Sequence, residues 1–230
     1  MTDYLQFIFN KFDMYEPVVH ELNKVIQERN NHAIVDLCSG SGGPVKAIRR
    51  NFIRYYKKEI PIILTDKFIP ERIINYLPMG ITFYKDPVDA RAIPENLKGL
   101  RTMFSSLHHF SYEEIKFIIR NILKSGEAFA FFDSGNKNLA MILAIIVFHP
   151  LFMIVFTPFI KPFSFSRIFF TYVIPLVMFF TIWDGIISIL NLHSKKKFTN
   201  MISQLGESGI KCELLMLRNK FGMRILGIKG

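Results

Sequence analysis

The stretch Ile34-Val-Asp-Leu-Cys-Ser-Gly-Ser-Gly-Gly-Pro44 decides the fold of this chain. An apolar run with one acid passes directly into a glycine-rich turn. Glycine has no Cβ, so the backbone at Gly40 and Gly42 can adopt positive φ and approach a ligand closely. The following residues, Val45 to Arg54, predict a helix whose N-terminus faces the same place. The pattern alone fits either a cofactor-binding turn or an ordinary turn from strand to helix.

The order of the apolar runs that follow favours the cofactor-binding turn. Pro61 to Asp66 ends in an acid at the position where the second strand of a βαβ unit should end, and such an acid can bind both hydroxyls of a ribose. Between the later runs, Ser111 and Glu114 have the spacing of a capping box at the start of a helix. Strands that alternate with helices predict an α/β protein with a parallel sheet. The remaining predicted parallel strands are Ile81–Tyr84, Leu100–Ser106 and Ala128–Asp133.

The C-terminal residues predict a different kind of strand pairing. Cys212 to Arg218 and Met223 to Ile228 are two apolar runs, and the short segment Asn219 to Gly222 joins them. Two such runs separated by a short glycine-containing turn are typical of an antiparallel hairpin.

Taken together, these motifs resemble class I S-adenosylmethionine-dependent methyltransferases, in particular a bacterial group with a hydrophobic insertion after the fifth strand. The family's acidic-x-Gly-x-Gly-x-Gly motif matches Asp36, Gly40 and Gly42, with Cys38 in place of the first glycine. The resemblance implies a Rossmann-like sheet of five parallel strands, which the C-terminal antiparallel hairpin completes. Because dinucleotide-binding folds do not end in such a hairpin, a nicotinamide-dependent dehydrogenase is the less favoured alternative.

The resemblance also implies the cofactor, S-adenosylmethionine, and the residues that bind it. Asp66 corresponds to the acid that binds the ribose, and Asp89 and Ala90 to the pair that meets the adenine. Ser105 lies where the fourth strand reaches the side of methyl transfer. The full predicted cofactor site consists of Asp36, Cys38, Gly40, Ser41, Gly42, Asp66, Lys67, Asp89, Ala90 and Ser105.

Three further residues are candidates for catalysis. His108 and His109 follow the fourth strand, and one imidazole there can act as a general base, with a typical effect of about 10²- to 10⁴-fold on rate. The alternative is structural, with His109 capping the next helix or packing under Phe110. Asp184 follows an apolar run, where it is either a helix N-cap or a residue that binds the acceptor. The paired histidines lack further ligands, so no metal site is expected.

The second decisive feature is hydrophobic. The 23 residues between Lys137 and Lys161 include no charged side chain, which is longer than the roughly 18 that suggest a transmembrane helix. A second apolar stretch runs from Ile168 to Trp183 and continues to Leu190. We therefore predict an inserted hydrophobic helical hairpin over residues 138–192. It separates residues 1–137, the N-terminal helices and cofactor-binding core, from residues 193–230, the last helix and terminal hairpin.

The prolines and charges of the insertion bear on how it meets a membrane. We expect Pro150, Pro158 and Pro175 to interrupt the apolar stretches. Lys161 and Arg167 lie in the connection that two spans would carry to the far side, which the positive-inside rule opposes. A monotopic or re-entrant hairpin is therefore favoured over two spans. A buried helical lid or dimer face is the third alternative.

Composition agrees with a membrane partner. The net charge is +10 and the pI about 9.6, and much of the excess is scattered or flanks the insertion. This distribution predicts an anionic membrane surface as partner and no nucleic acid. Two cysteines give no disulfide framework, so we expect the catalytic domain in the reducing cytoplasm. No pattern indicates an oligomeric state.

The sequence thus predicts a membrane-associated enzyme that transfers a methyl group to a membrane lipid or other lipophilic small-molecule acceptor. Two alternatives stay open: a catalytically inactive methyltransferase-like module for membrane interaction, and an aminopropyl transferase.

Overall fold

The computed structural model describes residues 2–230, and its centre is one seven-stranded sheet in the order β3-β2-β1-β4-β5-β7-β6. Strands β1 to β5 are parallel, and β7 pairs antiparallel with both β5 and β6. The predicted sheet of five parallel strands with a terminal antiparallel hairpin is confirmed. The strands are β1 (Ile34–Leu37), β2 (Ile62–Leu64), β3 (Ile81–Phe83), β4 (Leu100–Phe104), β5 (Phe129–Ser134), β6 (Glu213–Arg218) and β7 (Arg224–Lys229).

Nine α-helices accompany the strands in the described part of the chain. They are α1 (Thr2–Lys11), α2 (Val18–Glu28), α3 (Val45–Tyr56), α4 (Glu71–Ile74), α5 (Tyr112–Lys124), α6 (Leu139–Phe156), α7 (Phe165–Tyr172), α8 (Leu176–Asn191) and α9 (Lys195–Glu207). Two short 3-10 helices cover Leu107–His109 and Thr157–Phe159. The predicted capping box starts α5, where the Ser111 hydroxyl accepts from Glu114 N–H and the Glu114 carboxylate accepts from Ser111 N–H.

Apolar side chains cover both faces of the sheet. Because successive strand residues point to opposite faces, Ile34 packs with α2 and α3 on one side, whereas Val35 packs with α5 and α9 on the other. Because helices cover both faces of the parallel sheet, ligands reach it at the ends of its strands. The carboxyl ends of β1, β2, β4 and β5 therefore meet at one edge, and the insertion leaves the sheet there, after β5.

The insertion differs from the prediction at one proline. Helix α6 continues through Pro150, so the prediction that this residue interrupts the stretch is wrong. Contacts near the proline keep the helix intact, because His149 Nε2 lies 2.9 Å from Thr181 Oγ1 of α8 and Met153 is fully buried. Such tertiary contacts outweigh a local propensity. Pro158 lies in a 3-10 helix and Pro175 precedes α8.

The insertion lies along the core. Its two ends are adjacent, since Lys137 Nζ donates to Leu192 O at 3.4 Å. Helix α6 runs beside α1, with ring centroids 4.8 Å apart for Tyr4 and His149 and 5.5 Å apart for Phe7 and Phe156. The start of α7 also returns to the core. Arg167 Nη1 lies 3.2 Å from Asp3 Oδ2 of α1.

The outer surface of the insertion is strongly apolar. The segment Leu139–Phe159 is long and apolar enough to cross a membrane, with a mean hydropathy of 2.7 and only 6% of it buried. Helices α7 and α8 together meet the same criterion but are bent by 80°. Core helices of water-soluble proteins bury such side chains. Exposed examples are Leu143, Ile146, Val147, Phe148, Leu151, Phe179, Phe180 and Trp183.

Candidate active site

The glycine-rich turn after β1 adopts the left-handed backbone that its sequence predicts. Gly40 has φ 52° and Gly42 has φ 99°. A Cβ on Gly42 would lie 3.2 Å from Gln6 Nε2 and 3.3 Å from Leu64 Cδ1, so space and conformation both favour glycine. Cys38 also has a positive φ of 54°, at the place of the family's first glycine. The turn therefore keeps its shape at that position without a glycine.

Asp66 lies directly beside this turn. Its Oδ2 accepts a hydrogen bond from Gly40 N–H at 2.7 Å, and its Oδ1 accepts from Phe68 N–H at 2.9 Å. Each carboxylate oxygen can accept a second hydrogen bond. The structure thus brings the predicted ribose acid and the predicted turn together, with acceptor capacity to spare.

Asp36 is a buried carboxylate beneath the turn. Its Oδ1 accepts from Thr102 Oγ1 at 2.8 Å, because β1 and β4 pair in a register that sets these residues side by side. Burial raises the pKa of Asp36 to about 7, against the hydrogen bonds from Ser39 and Thr102 that lower it. Its main-chain oxygen accepts from Ser39 Oγ at 2.8 Å, so Asp36 is also bonded to the start of the turn.

The electrostatic field at the turn is negative. Burial, followed by the charges of Asp66, Asp36 and Asp89, raises the pKa of the Cys38 thiol to about 12. The thiol is therefore neutral at physiological pH and is a poor nucleophile. The negative charge that disfavours a thiolate at this place, chiefly that of Asp66, favours a cationic ligand there.

Asp89 and its neighbours form a polar cluster after β3. The carboxylate of Asp89 accepts from Arg91 Nη2 at 2.7 Å, and Lys67 Nζ lies 3.8 Å from it. Hydrogen bonds from Arg91 lower the pKa of Asp89 to about 2, so this carboxylate stays charged. Ala90 is buried in the core, and Lys67 is exposed above Asp89.

Helix α1 closes one side of the turn. Ser41 is buried, and its Oγ donates to Asp3 Oδ1 at 2.5 Å. Asn10 Nδ2 donates to Gly43 O at 2.6 Å, while its Oδ1 accepts from Ala47 N–H at 2.6 Å. Sequence reasoning missed Asp3 and Asn10, because neither lies in a motif.

Ser105, at the end of β4, is bonded to the N-terminal region. Its Oγ lies 2.5 Å from the hydroxyl of Tyr15, which is fully buried. Burial, followed by the charge of Asp133, raises the pKa of Tyr15, so the phenol stays protonated. Ser105 has φ 51°, and the chain turns there toward the two histidines.

His108 is held by a partner that the sequence analysis missed. Asp133 Oδ2 accepts from His108 N–H at 2.9 Å and lies 3.2 Å from His108 Nδ1. Both side chains are buried. The sequence held a signal for this contact, because Asp133 lies near the carboxyl end of β5 and the carboxyl ends of adjacent parallel strands meet. A buried carboxylate on Nδ1 fixes the orientation of the ring.

His109 is exposed and faces the insertion. Partial desolvation and the neighbouring His108 ring, 4.4 Å away between centroids, lower the pKa of His109, against the charges of Asp133 and Asp184. Its imidazole is therefore neutral at physiological pH and can accept a proton. His109 does not cap α5, since Ser111 does so.

Asp184 lies within α8, which begins at Leu176, so the prediction that it is a helix N-cap is wrong. The apolar residues on both sides of it continue one helix, since Gly185 alone does not end it. Helix α8 packs on the 3-10 helix that carries the histidines. Asp184 thus contributes to the field at His109.

His193 was not predicted from the sequence. Its Nε2 lies 3.0 Å from Leu107 O of the 3-10 helix that carries the two histidines. Among residues 2–230, no cluster of three or more His, Cys, Asp or Glu side chains could hold a metal ion.

The sequence matches no protein-family model and no curated protein. Solved structures with a similar fold include two of the methyltransferase domain of bacterial CtHen1. One is 11% identical with a TM-score of 0.52, covering 94% of this chain and 100% of that domain. The other is 11% identical with a TM-score of 0.51, covering 94% and 97%. Human N-acetylserotonin methyltransferase with bound S-adenosylmethionine aligns at 11% identity and a TM-score of 0.49, over 98% of this chain and 55% of that one. The chain has the class I methyltransferase fold.

Proposed function

We propose that this protein is an S-adenosylmethionine-dependent methyltransferase that rests on a membrane and methylates a lipid or another lipophilic small molecule. One observation carries the proposal. The glycine turn with its carboxylates and the exposed apolar insertion share one edge of the sheet, and Asp3 contacts both Ser41 of the turn and Arg167 of the insertion. A lipophilic acceptor that enters along the insertion would arrive at the cofactor edge.

The turn fits the cofactor chemically. Asp66 has spare acceptor capacity for ribose hydroxyls, and Gly40 and Gly42 give the turn beside it the left-handed backbone of a cofactor-binding turn. Asp66, with Asp89 farther off, sets a negative field that suits a sulfonium and an ammonium group. When bound, the cofactor supplies an electrophilic methyl group.

The residues near the end of β4 would align the acceptor and take its proton. His109 is exposed toward the insertion and neutral, so its ring nitrogen can accept a proton from an acceptor hydroxyl or amine as the new bond to carbon forms. Asp184 would stabilise the resulting imidazolium. His108, held by Asp133, is a positioning residue that packs against the His109 ring.

The contacts of the insertion favour a monotopic arrangement. The ends of the insertion touch the core through Lys137 with Leu192, and the start of α7, directly after the central connection, touches it through Arg167 with Asp3. A connection on the far side of a bilayer could not make the second contact. We infer that the outer faces of α6 and α8 dip into one leaflet and that the core stays on the cytoplasmic side.

A transfer assay with isotope-labelled methyl donor tests the proposal. Purified protein, S-adenosylmethionine with a deuterated methyl group and a total lipid extract should yield lipid species that carry one labelled methyl, detected by mass spectrometry. Lipid extracts from cells with and without the gene should differ in the same species. Binding of the donor without any transfer would instead favour the inactive interaction module, and no binding would overturn the proposal.

A further inference from the structure

A cavity of about 720 Å³ opens where the insertion meets the core. Its polar wall consists of Asp3 of α1, Arg72 and Tyr76 from the region of α4, and Arg167 of α7. The glycine turn, Asp66 and the histidines do not line it. The cavity nevertheless adjoins the candidate active site, because Asp3 also bonds Ser41.

The charges of this cavity do not cancel. Arg167 balances Asp3, with its Nη1 3.2 Å from Asp3 Oδ2, and its Nη2 donates to the carbonyls of Ile160 and Pro162. The Nε of Arg167 is buried and has no hydrogen-bond partner among residues 2–230. Arg72 is exposed and forms neither an ion pair nor a hydrogen bond with any described residue. One positive charge therefore remains available for an anion.

The donors around the cavity suit a phosphate group. Arginine offers a planar set of N–H donors that matches phosphate oxygens in pairs. The first turn of α7 also lines the cavity, and Ser164 caps it by accepting from Arg167 N–H. The N-terminal end of a helix adds a positive electrostatic potential and free backbone donors.

The opposite wall is apolar and continues onto the exposed surface of the insertion. Phe163 and Phe165 are exposed and in edge contact, with centroids 5.0 Å apart, and Phe170 and Val177 complete the wall. A ligand that matches both walls carries a phosphate next to hydrocarbon.

We propose that this cavity binds the phosphate of an anionic phospholipid headgroup, with the acyl chains lying along the phenylalanines of the insertion. The inference rests on the membrane association proposed above and names the residues that recognise the lipid. Arg72 is the main source of specificity, because its charge is unpaired in the protein.

Calorimetry on the full chain in detergent tests this site without requiring membrane insertion or methyl transfer. The titrants are short-chain phosphatidylglycerol, short-chain phosphatidylcholine and inorganic phosphate. We expect phosphatidylglycerol to bind most tightly and Arg72→Gln to weaken that binding roughly tenfold or more, as for the loss of charge-assisted hydrogen bonds. Arg29→Gln is the matched control, since Arg29 is exposed before β1 at the opposite edge of the sheet.

Arg72→Lys tests whether binding needs the paired N–H donors of arginine or only a positive charge. Lysine keeps the charge but not the paired geometry, so the lysine variant should recover only part of the affinity. Full recovery, or equal binding by Arg72→Gln and the unmodified protein, would overturn the proposal. Inorganic phosphate binding as tightly as the lipid would overturn the lipid assignment. The same samples are titrated with S-adenosylmethionine, so a failure of the proposed methyltransferase function registers separately.

Discussion

Asp66 joins the glycine turn to the end of β2 through one carboxylate, which makes it a sharp test of the cofactor site. Replacing it by alanine removes acceptors for ribose hydroxyls and a bond that shapes the turn. We expect Asp66→Ala to weaken S-adenosylmethionine binding by about 1.5–3 kcal/mol, the usual range for charge-assisted hydrogen bonds. Calorimetry measures the loss. Asp86→Ala, an exposed acid on the loop after β3, should bind like the unmodified protein, and equal binding by Asp66→Ala would refute the ribose assignment.

The two adjacent histidines should differ in what their loss does. His109 is exposed, so His109→Ala should lower turnover by about 10²- to 10⁴-fold and change the stability by no more than about 0.5 kcal/mol. His108→Ala removes the ring that pairs with buried Asp133 and should cost about 1–3 kcal/mol of stability. Thermal unfolding and methyl-transfer rates on the same preparations give both quantities.

The pH dependence provides a further check on His109. The pKa of His109 is lowered from 6.5, so the imidazole should stay neutral through neutral pH. Turnover should therefore fall only when the pH drops below 6.5. A rate per folded molecule that is unchanged in His109→Ala would show that the histidine has no catalytic role.

Asp36 should make stability depend on pH. Its folded pKa of about 7 lies above the ordinary value of 3.8, so the folded state holds the proton more tightly than the unfolded chain does. Stability from this group is therefore present below about pH 4 and is lost as the pH rises toward 7. Asp36→Asn keeps the bond from Thr102 and removes the titration. Its unfolding free energy, relative to that of the unmodified protein, should therefore be higher at pH 8 than at pH 5, by on the order of a few kcal/mol at most. Denaturant melts at both pH values measure this, and exposed Asp86→Asn should show no such gain.

At the scale of single elements, the outer stripe of α6 should hold the protein on membranes. Leu143, Val147 and Leu151 lie four residues apart, on one exposed face of the helix. Burying them in lipid contributes roughly 1.5–3 kcal/mol each before ordering costs. Replacing all three by serine should therefore release much of the protein from membranes in a carbonate wash, measured as the fraction that pellets.

The matched control for α6 changes three exposed apolar residues outside the insertion. Phe68, Met79 and Met216 are at least as exposed as the α6 residues, and replacing them by serine should leave the protein in the pellet. Release of the unmodified protein by high salt alone would contradict the role of α6, since salt screens charges without weakening hydrophobic burial.

In the molecule as a whole, features set by local patterns could be predicted from the sequence, and contacts set by packing could not. The sheet and the glycine turn followed from local patterns, because strand ends with acids and glycines have few alternative geometries. The partners Asp133 of His108 and Asp3 of Ser41 depend on which segments pack together, which no local pattern contains. The same holds for Asp184, since only the packing of α8 over the 3-10 helix decides whether that segment is a helix interior or a start.

The insertion should be separable from the rest of the molecule. Its ends are adjacent, with Lys137 Nζ 3.4 Å from Leu192 O, and the two large core clusters contain no residue of the insertion. Among residues 2–230, the small cluster of Tyr4, Met153 and Ile160 crosses the boundary, together with ring contacts such as Phe12 with Phe152. Replacing residues 138–192 by a short glycine-serine linker should therefore leave a chain that unfolds cooperatively and no longer sediments with membranes.

The shortened chain should still bind S-adenosylmethionine, with an affinity lowered by the loss of Arg167 from Asp3 and of His149 from Tyr4, because both contacts steady α1 over the glycine turn. Asn10 keeps its bonds to Gly43 and Ala47, so α1 should remain attached. Circular dichroism, calorimetry and cosedimentation with vesicles measure the three properties. A shortened chain that fails to fold would make the insertion part of the folding unit and favour the buried lid over a membrane-bound surface, since only a lid shares its core with the sheet.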